Sequence, residues 1–267
     1  MTSMPCHFRG EEDDSQSFSI SRDDRGRIVS LVMRLLRVTI TGADDATSPD
    51  DLLALSKEFP FVEWGFLYSP KRSGSGEPRY PTVDWIMTMV RKGVNVALHL
   101  CGQAARDFFA GTPRFWMNEF KRIQVNGFSN QVEFTGMMPF IAAQPTEFIM
   151  QATTPVALLA VSYLSTMAAN IVPLYDPSGG RGIVQKEWPV PSWQRADIGY
   201  AGGMGPDNVE IIVRTLSGVP RNLGYWIDME TKVRTPDGTH LDLKLVREVL
   251  EKVLMSQVSA PERVSQS

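Results

Sequence analysis

The chain has 267 residues, 43% of them hydrophobic and 21% charged, with a formal net charge of −3. That apolar fraction can bury a sizeable core, which excludes wholesale disorder, and charge so near balance excludes the basic footprint of a nucleic-acid binder. Two cysteines, Cys6 and Cys101, exclude a disulfide scaffold and fit a reducing compartment. No apolar run reaches the roughly 18 residues of a membrane span. The polar, acidic start MTSMPCHFRGEEDDSQS also lacks the basic-then-apolar pattern of a signal peptide. The expectation is a cytoplasmic protein with no membrane or nucleic-acid partner.

Residues 1–30 are rich in Asp, Glu, Ser and Arg and read as a flexible polar extension, as does the tail 257–267, which leaves 31–256 as the folded part. Within it, short apolar runs alternate with helix-length amphipathic stretches. The first strand is 36–41 (LRVTIT), after which Ser48-Pro49-Asp50-Asp51 caps a helix through Lys57. A second strand, 61–68 (FVEWGFLY), leads through the long loop SPKRSGSGEPRYP to a helix over 82–91. The third strand is 94–101 (VNVALHLC), with Gly102 opening the next helix. Strands over 120–125 and 148–151 precede a helix over 155–169, and a sixth strand covers 171–175 (IVPLY). The seventh strand, 198–201, is followed by a helix that Gly205-Pro206-Asp207 starts and that runs through Leu216. An eighth strand covers 223–228, and the closing helix covers 242–255.

Eight strands and about eight helices of this length close most simply into a single (β/α)8 barrel, an α/β fold with a flexible N-terminal extension. The alternative is an open doubly wound sheet. No G-x-G-x-x-G or G-x-x-x-x-G-K-[ST] follows a strand, which weakens that alternative as a nucleotide binder. No metal-spaced Cys/His cluster occurs, so no metal or cofactor is expected.

In such a barrel the reactive groups stand at the strand C-termini. The first strand ends in Thr41, followed by Asp44 and Asp45, and the second carries Glu63 among apolar residues. Period two places His99 and Cys101 on one face of the third strand, the polar face that points into the barrel. The fourth strand offers Gln124 and Asn126, the sixth Asp176 and the eighth Asp228. Most of these have an ordinary reading: a satisfied core histidine, a small buried thiol, loop-capping aspartates, and a Glu63 that accepts hydrogen bonds inside the barrel. Asp176 differs, because it ends an apolar strand and runs straight into Pro-Ser-Gly-Gly-Arg-Gly, and a carboxylate buried there needs a reason. Glycine supplies a second signal. Gly179, Gly180 and Gly182 follow strand six, and Gly202 and Gly203 follow strand seven, where loops allow backbone to approach a phosphate.

From Val38 to Val253 the chain resembles the phosphoribosylanthranilate isomerase family, a barrel enzyme family of tryptophan biosynthesis. The resemblance rests on VTITG, EWGFLYSP with PRYP, IQVNG, LYDPSGGRG with EWP, YAGGMGPDNV and the acidic end of strand eight, in that order. It implies an Amadori rearrangement of an aminoaldose phosphate, with Asp176 on the family's general acid and Arg79 on an arginine of the active-site mouth. The family's base is a cysteine ending strand one, and Thr41 replaces it here. A threonine hydroxyl is far harder to ionise than a thiol, so the base would be recruited from Asp44, His99 or Cys101. Glu230-Thr231-Lys232 replaces the family's Ser-Ser-Gly phosphate turn, with Lys232, Arg234 or Arg181 to offset Glu230. The longer loop with Lys71 and Arg72 suggests a larger substrate.

The resulting expectation is an isomerase-like barrel acting on a phosphorylated sugar or related anion. Catalysis would fall to Asp176, Thr41, Asp44, His99 and Cys101, and substrate contacts to Arg79, Gln124, Asn126 and Asp228. Phosphate would sit on Gly179, Gly180, Gly182, Gly202, Gly203, Thr231 and Lys232. The alternatives are a non-catalytic barrel that senses a phosphorylated metabolite, and the genuine family reaction with a relocated base. The expected partner is a phosphorylated small molecule, and the expected state a monomer or homodimer.

Overall fold

The computed structural model describes residues 33–112, 115–127, 137–191, 194, 196–221 and 223–258. The expected N-terminal extension and nearly all of the C-terminal tail lie outside the described residues. Eight strands are present: β1 Arg34–Thr41, β2 Val62–Tyr68, β3 Val96–Leu100, β4 Arg122–Val125, β5 Glu147–Ala152, β6 Ile171–Tyr175, β7 Ile198–Ala201 and β8 Gly224–Met229. Each pairs in parallel with the next, and β8 pairs back onto β1 with Asp228 opposite Thr39, so the sheet closes. The fold is the (β/α)8 barrel that the alternation predicts, not the open sheet.

The helices α1 Pro49–Glu58, α2 Val83–Arg91, α3 Gln103–Phe109, α4 Met138–Ala142, α5 Pro155–Met167, α6 Val209–Ser217 and α7 Leu243–Val258 lie between and after the strands. Local chemistry sets several starts. Ser48 accepts from the Asp51 amide at 3.3 Å, Thr82 from that of Trp85 at 3.2 Å, and Thr154 from that of Ala157 at 3.1 Å. Pro49 and Pro155 occupy first-turn positions, where an amide hydrogen would be unpaired anyway.

Two expectations need correction. About eight helices were expected, but among the described residues none lies between β6 and β7. The glycines and prolines of 177–191 keep that stretch irregular. The helix after β7 starts at Val209 rather than at the Gly-Pro-Asp signal, because Asn208 ties that signal into a turn. Its Oδ1 accepts from the Gly205 amide at 2.9 Å and its Nδ2 donates to the Gly203 carbonyl at 3.0 Å.

Apolar packing falls into two bodies. The larger fills the layer between strands and helices. The smaller lies inside the barrel, where Ile149, Val172, Leu174, Ala201 and Trp226 pack on the β5–β8 side. Gly199 makes room for Trp226, whose indole lies where a Cβ would be. The β1–β4 side of the interior is polar: Thr39, Thr41, Glu63, His99, Arg122 and Gln124 are all buried. Arg122 joins the halves. Its guanidinium bonds Glu63 at 2.5 and 2.8 Å and Glu147 at 2.6 Å, and it stacks 4.6 Å from the Trp226 ring. Glu63 also accepts from the Thr39 hydroxyl at 2.8 Å, so it does take hydrogen bonds inside the barrel. This ion cluster forms the floor beneath the strand ends.

Candidate functional site

Above the cluster, the C-terminal ends of the strands surround an open cavity. It brings together Thr41, His99, Gln124, Asn126, Asp176, Gly180, Gly182, Gly202, Gly203, Asp228, Thr231 and Lys232, twelve of the residues singled out in the sequence. Asp44, Arg79, Cys101 and Gly179 do not line it.

The two aspartates of the cavity are held differently. Asp176 accepts three hydrogen bonds, from Ser178 Oγ at 2.6 Å and from Gln151 Nε2 and the Gly180 amide at 2.8 Å each. Both its oxygens therefore act as acceptors. Asp228 takes one bond among the described residues, from Thr41 Oγ1 at 2.8 Å, across the β1–β8 seam. Burial pushes its carboxyl up to about 8. The Thr41 bond opposes the shift, and the nearby negative charges of Glu230, Asp176 and Glu63 add to it.

His99 is 1% exposed, and its Nε2 has no hydrogen-bond partner among the described residues. Burial lowers its imidazole to about 4, with Glu63 opposing and Arg122 adding to the effect, so the ring is neutral near pH 7. Gln124 donates to Asn126 at 2.9 Å, and Asn126 in turn donates to the Cys101 sulfur at 3.3 Å.

The glycine loops serve partly to pack on one another. Side chains on Gly202 and Gly203 would collide with residues 183–185 of the preceding loop, and one on Gly182 would press on Thr231 at 3.0 Å. Gly203 also has φ +62°, where a side chain is strained. Gly180 has open space around it. Gly202 and Gly203 are buried residues, and their amides donate to no acceptor among the described residues.

The residues outside the cavity are engaged in structure. Asp44 accepts from the Ala46 amide at 3.1 Å and from the Arg79 amide at 2.8 Å, which shapes the loop after β1. Arg79 pairs with Glu230 at 2.7 Å, and of the cations named from sequence Arg234 also feels the Glu230 charge. Arg234 spends its guanidinium on the carbonyls of Gly42, Gly238 and Thr239, and Arg181 on that of Ser178. Arg72 pairs with Glu77 within its own loop and stacks on Tyr80. Burial pushes the Cys101 thiol up to about 11, which disfavours the thiolate that a base would need. Gly179 serves the turn itself, its amide bonding the Asp176 carbonyl at 2.9 Å.

Cavity residues that the sequence reading does not single out include Gln151, Ser178 and Leu67. Gln151 was legible by phase, two residues after the inward Ile149 on the same strand. Ser178 had no signal beyond its place two residues after Asp176.

Comparisons with protein-family models and with curated proteins find no match. Among solved structures the chain is similar to a truncated form of 3-deoxy-D-arabino-heptulosonate 7-phosphate synthase from Thermotoga maritima. That likeness has 13% identity and a TM-score of 0.49 over 85% of this chain and 87% of that one. It is also similar to a 3-hexulose-6-phosphate synthase, with 9% identity and a TM-score of 0.47 over 81% and 99% of the two chains. Orotidine 5'-monophosphate decarboxylase from Methanocaldococcus jannaschii matches with 10% identity and a TM-score of 0.38 over 84% and 98%. Likenesses of this size carry no conclusion about what this chain binds. Among the described residues no group of three His, Cys, Asp or Glu side chains could hold a metal ion. No described helix is long and apolar enough to cross a membrane.

Proposed function

We propose that this barrel binds a phosphorylated sugar or a related anion at its strand ends and isomerises it by acid–base chemistry of the aldose–ketose or Amadori class. The observation that carries the reading is two aspartates facing one cavity and held differently: Asp176 accepts from three donors, while burial raises Asp228 to about 8. In this reading Asp176, expected as the general acid, takes the part of the base, and Asp228, expected as a substrate contact, that of the acid. Asp228 gives its proton to the carbonyl oxygen of the open-chain aldose, or to the imine nitrogen of the open-chain aminoaldose, while Asp176 takes the proton from the adjacent carbon, and the C–H electrons form the enediol or enaminol double bond. Return of one proton to the neighbouring carbon, and of the hydroxyl proton to Asp228, completes an isomerisation with no net gain or loss. Thr41 cannot serve as the base that the family's cysteine provides, but its hydroxyl orients Asp228.

The phosphate belongs at the β7 and β8 loops. Gly202, Gly203, Thr231 and the exposed Lys232 line the cavity there. The test is exchange of the substrate's α-hydrogen with deuterated water, followed by NMR over a panel of aldose and aminoaldose phosphates that includes phosphoribosylanthranilate. The expected result is exchange with at least one of them, lost in Asp228→Asn and Asp176→Asn. A ligand that raises the melting temperature but exchanges nothing would favour the second reading, a non-catalytic phosphometabolite binder. That reading has its own support in Thr41 at the base position and in the reluctance of the Cys101 thiol to ionise.

A further inference from the structure

Helix α5, Pro155–Met167, is apolar on both faces. Leu158, Ala160, Val161 and Leu164 are buried, while Val156, Leu159, Tyr163 and Met167 are between 40% and 76% exposed. Spacings of three and four residues align these four in one stripe along the helix. A helix apolar all round is ordinarily buried on every side, and this one, at 13 residues, is too short to cross a bilayer. Residues 148–175 contain no Asp, Glu, Lys or Arg, whereas every other described helix of eight residues or more carries at least one of them. The serine and threonine hydroxyls of α5 are spent on its own backbone. Ser162 donates to the Leu158 carbonyl at 2.7 Å, Ser165 to that of Val161 at 3.0 Å and Thr166 to that of Tyr163 at 2.7 Å. Among the described residues no helix lies between β6 and β7 to flank α5 on that side. Phe140 of α4 is exposed as well, next to Ile141, whose carbonyl accepts from Asn170 at 2.7 Å just past the end of α5.

We propose that this stripe is the interface of a homodimer, in which α5 packs antiparallel on the α5 of a second copy across a two-fold axis. A two-fold interface brings one patch against itself, so each contact is made twice. The stripe suits that reversal. With the axis level with position 161, Val156 faces the second copy's Met167, and Leu159 faces its Tyr163. No charge stands on the face, so self-pairing sets no like charges together, and antiparallel helices oppose their dipoles favourably. An interface of standard size takes about 800 Å² from each partner, more than four side chains on one helix supply, so the dimer is weak and concentration dependent. Because α5 follows β5, it starts at the cavity end of the barrel and runs back to the floor. The antiparallel arrangement therefore points the two cavities in opposite directions and leaves both open. None of this depends on what the cavity binds.

The experiment is sedimentation velocity of the full chain from about 1 to 200 µM, with Val156→Glu, Met167→Lys, those two combined, and Tyr163→Ala. A carboxylate in the first turn and an ammonium in the last both suit the helix dipole, so the charged variants should melt within about two degrees of wild type. Wild type should pass from monomer to dimer across the range. Each single charged variant should weaken the dimer at least tenfold, and Tyr163→Ala about fivefold. The combined variant should return to within about threefold of wild type, because each new carboxylate then faces a new ammonium across the axis. A wild type that stays monomeric overturns the proposal, and so does a dimer that the single variants leave unchanged. A combined variant weaker than either single one overturns the antiparallel pairing. Should the charged variants unfold, Tyr163→Ala decides alone, and an unchanged dimer there overturns the proposal. A monomer that floats with phosphatidylcholine vesicles gives the face to a lipid surface and overturns it too.

Discussion

Glu63 and Asp228 are two carboxyls inside the same barrel, 2% and 7% exposed, with opposite fates. Burial pushes both upward. For Glu63 the charge and hydrogen bonds of Arg122, the charge of Arg37 and the Thr39 hydroxyl outweigh it, and the group ends below its ordinary value. Asp228 has only the Thr41 hydroxyl against burial and three neighbouring negative charges, and it rises to about 8. Depth alone therefore does not decide whether a carboxyl in this barrel is ionised. The position of one arginine does, since Arg122 reaches the floor and stops there. The floor is an ion pair with a structural duty, and the rim is an acid available for proton transfer.

The comparison can be broken at either end, with effects of opposite sign. Glu63→Gln leaves Arg122 buried without its main counter-charge and should destabilise the fold by about 3–5 kcal/mol in urea unfolding at pH 7. The same chemical change at Asp228 should do the reverse. Asp228→Asn removes the burden of ionising a buried group and should stabilise increasingly as pH rises above 4, by up to about 1.4 kcal/mol per pH unit, with little effect near pH 4.

The pH dependence sharpens this. Asp228 has a folded value of about 8 against a model value of 3.8, so it costs stability progressively as pH rises through that window. His99, lowered from 6.5 to about 4, costs stability as pH falls from 6.5 towards 4. The two slopes oppose each other below pH 6.5, and only the Asp228 slope remains above it. Wild type should therefore lose stability between pH 6.5 and 8, by up to about 1.4 kcal/mol per pH unit, and Asp228→Asn should be flat there.

Smaller changes grade the same contrast. Thr41→Val removes the one hydrogen bond that favours ionised Asp228, so its carboxyl should titrate higher still in a carbon-13 NMR titration. The cost to stability should be about 1 kcal/mol. Arg37 stands 3.7 Å from Glu63 with its side chain about a third exposed, so Arg37→Gln should cost under about 1 kcal/mol in the same urea assay. If Arg37→Gln matched Glu63→Gln, the assignment of the floor to Arg122 would be wrong.

Most of the barrel was legible in the sequence because strands and caps are local. The run 171–175 is β6 and 198–201 is β7 as read, and Ser48 with Pro49 starts α1. The irregular path after β6 was less legible, since a glycine- and proline-rich stretch says where a helix is weak and not what replaces it. Within the site, phase alone turned His99, Gln124 and Asp228 inward. The partners of Arg79 were not legible, because Glu230 lies 151 residues further along the chain and meets it only at the mouth.

The sequence by itself determined the alternation of strand and helix, the strand ends where Asp176 and Asp228 sit, and the glycines after β6 and β7. Those follow from short-range periodicity and backbone chemistry. Only the tertiary structure decided what the groups became. Closure of β8 onto β1 brings Thr41 within 2.8 Å of Asp228 across 187 residues, and the barrel interior brings Arg122 onto Glu63 across 59. Charge state depends on dehydration and on neighbours in space, and neither exists until the barrel closes.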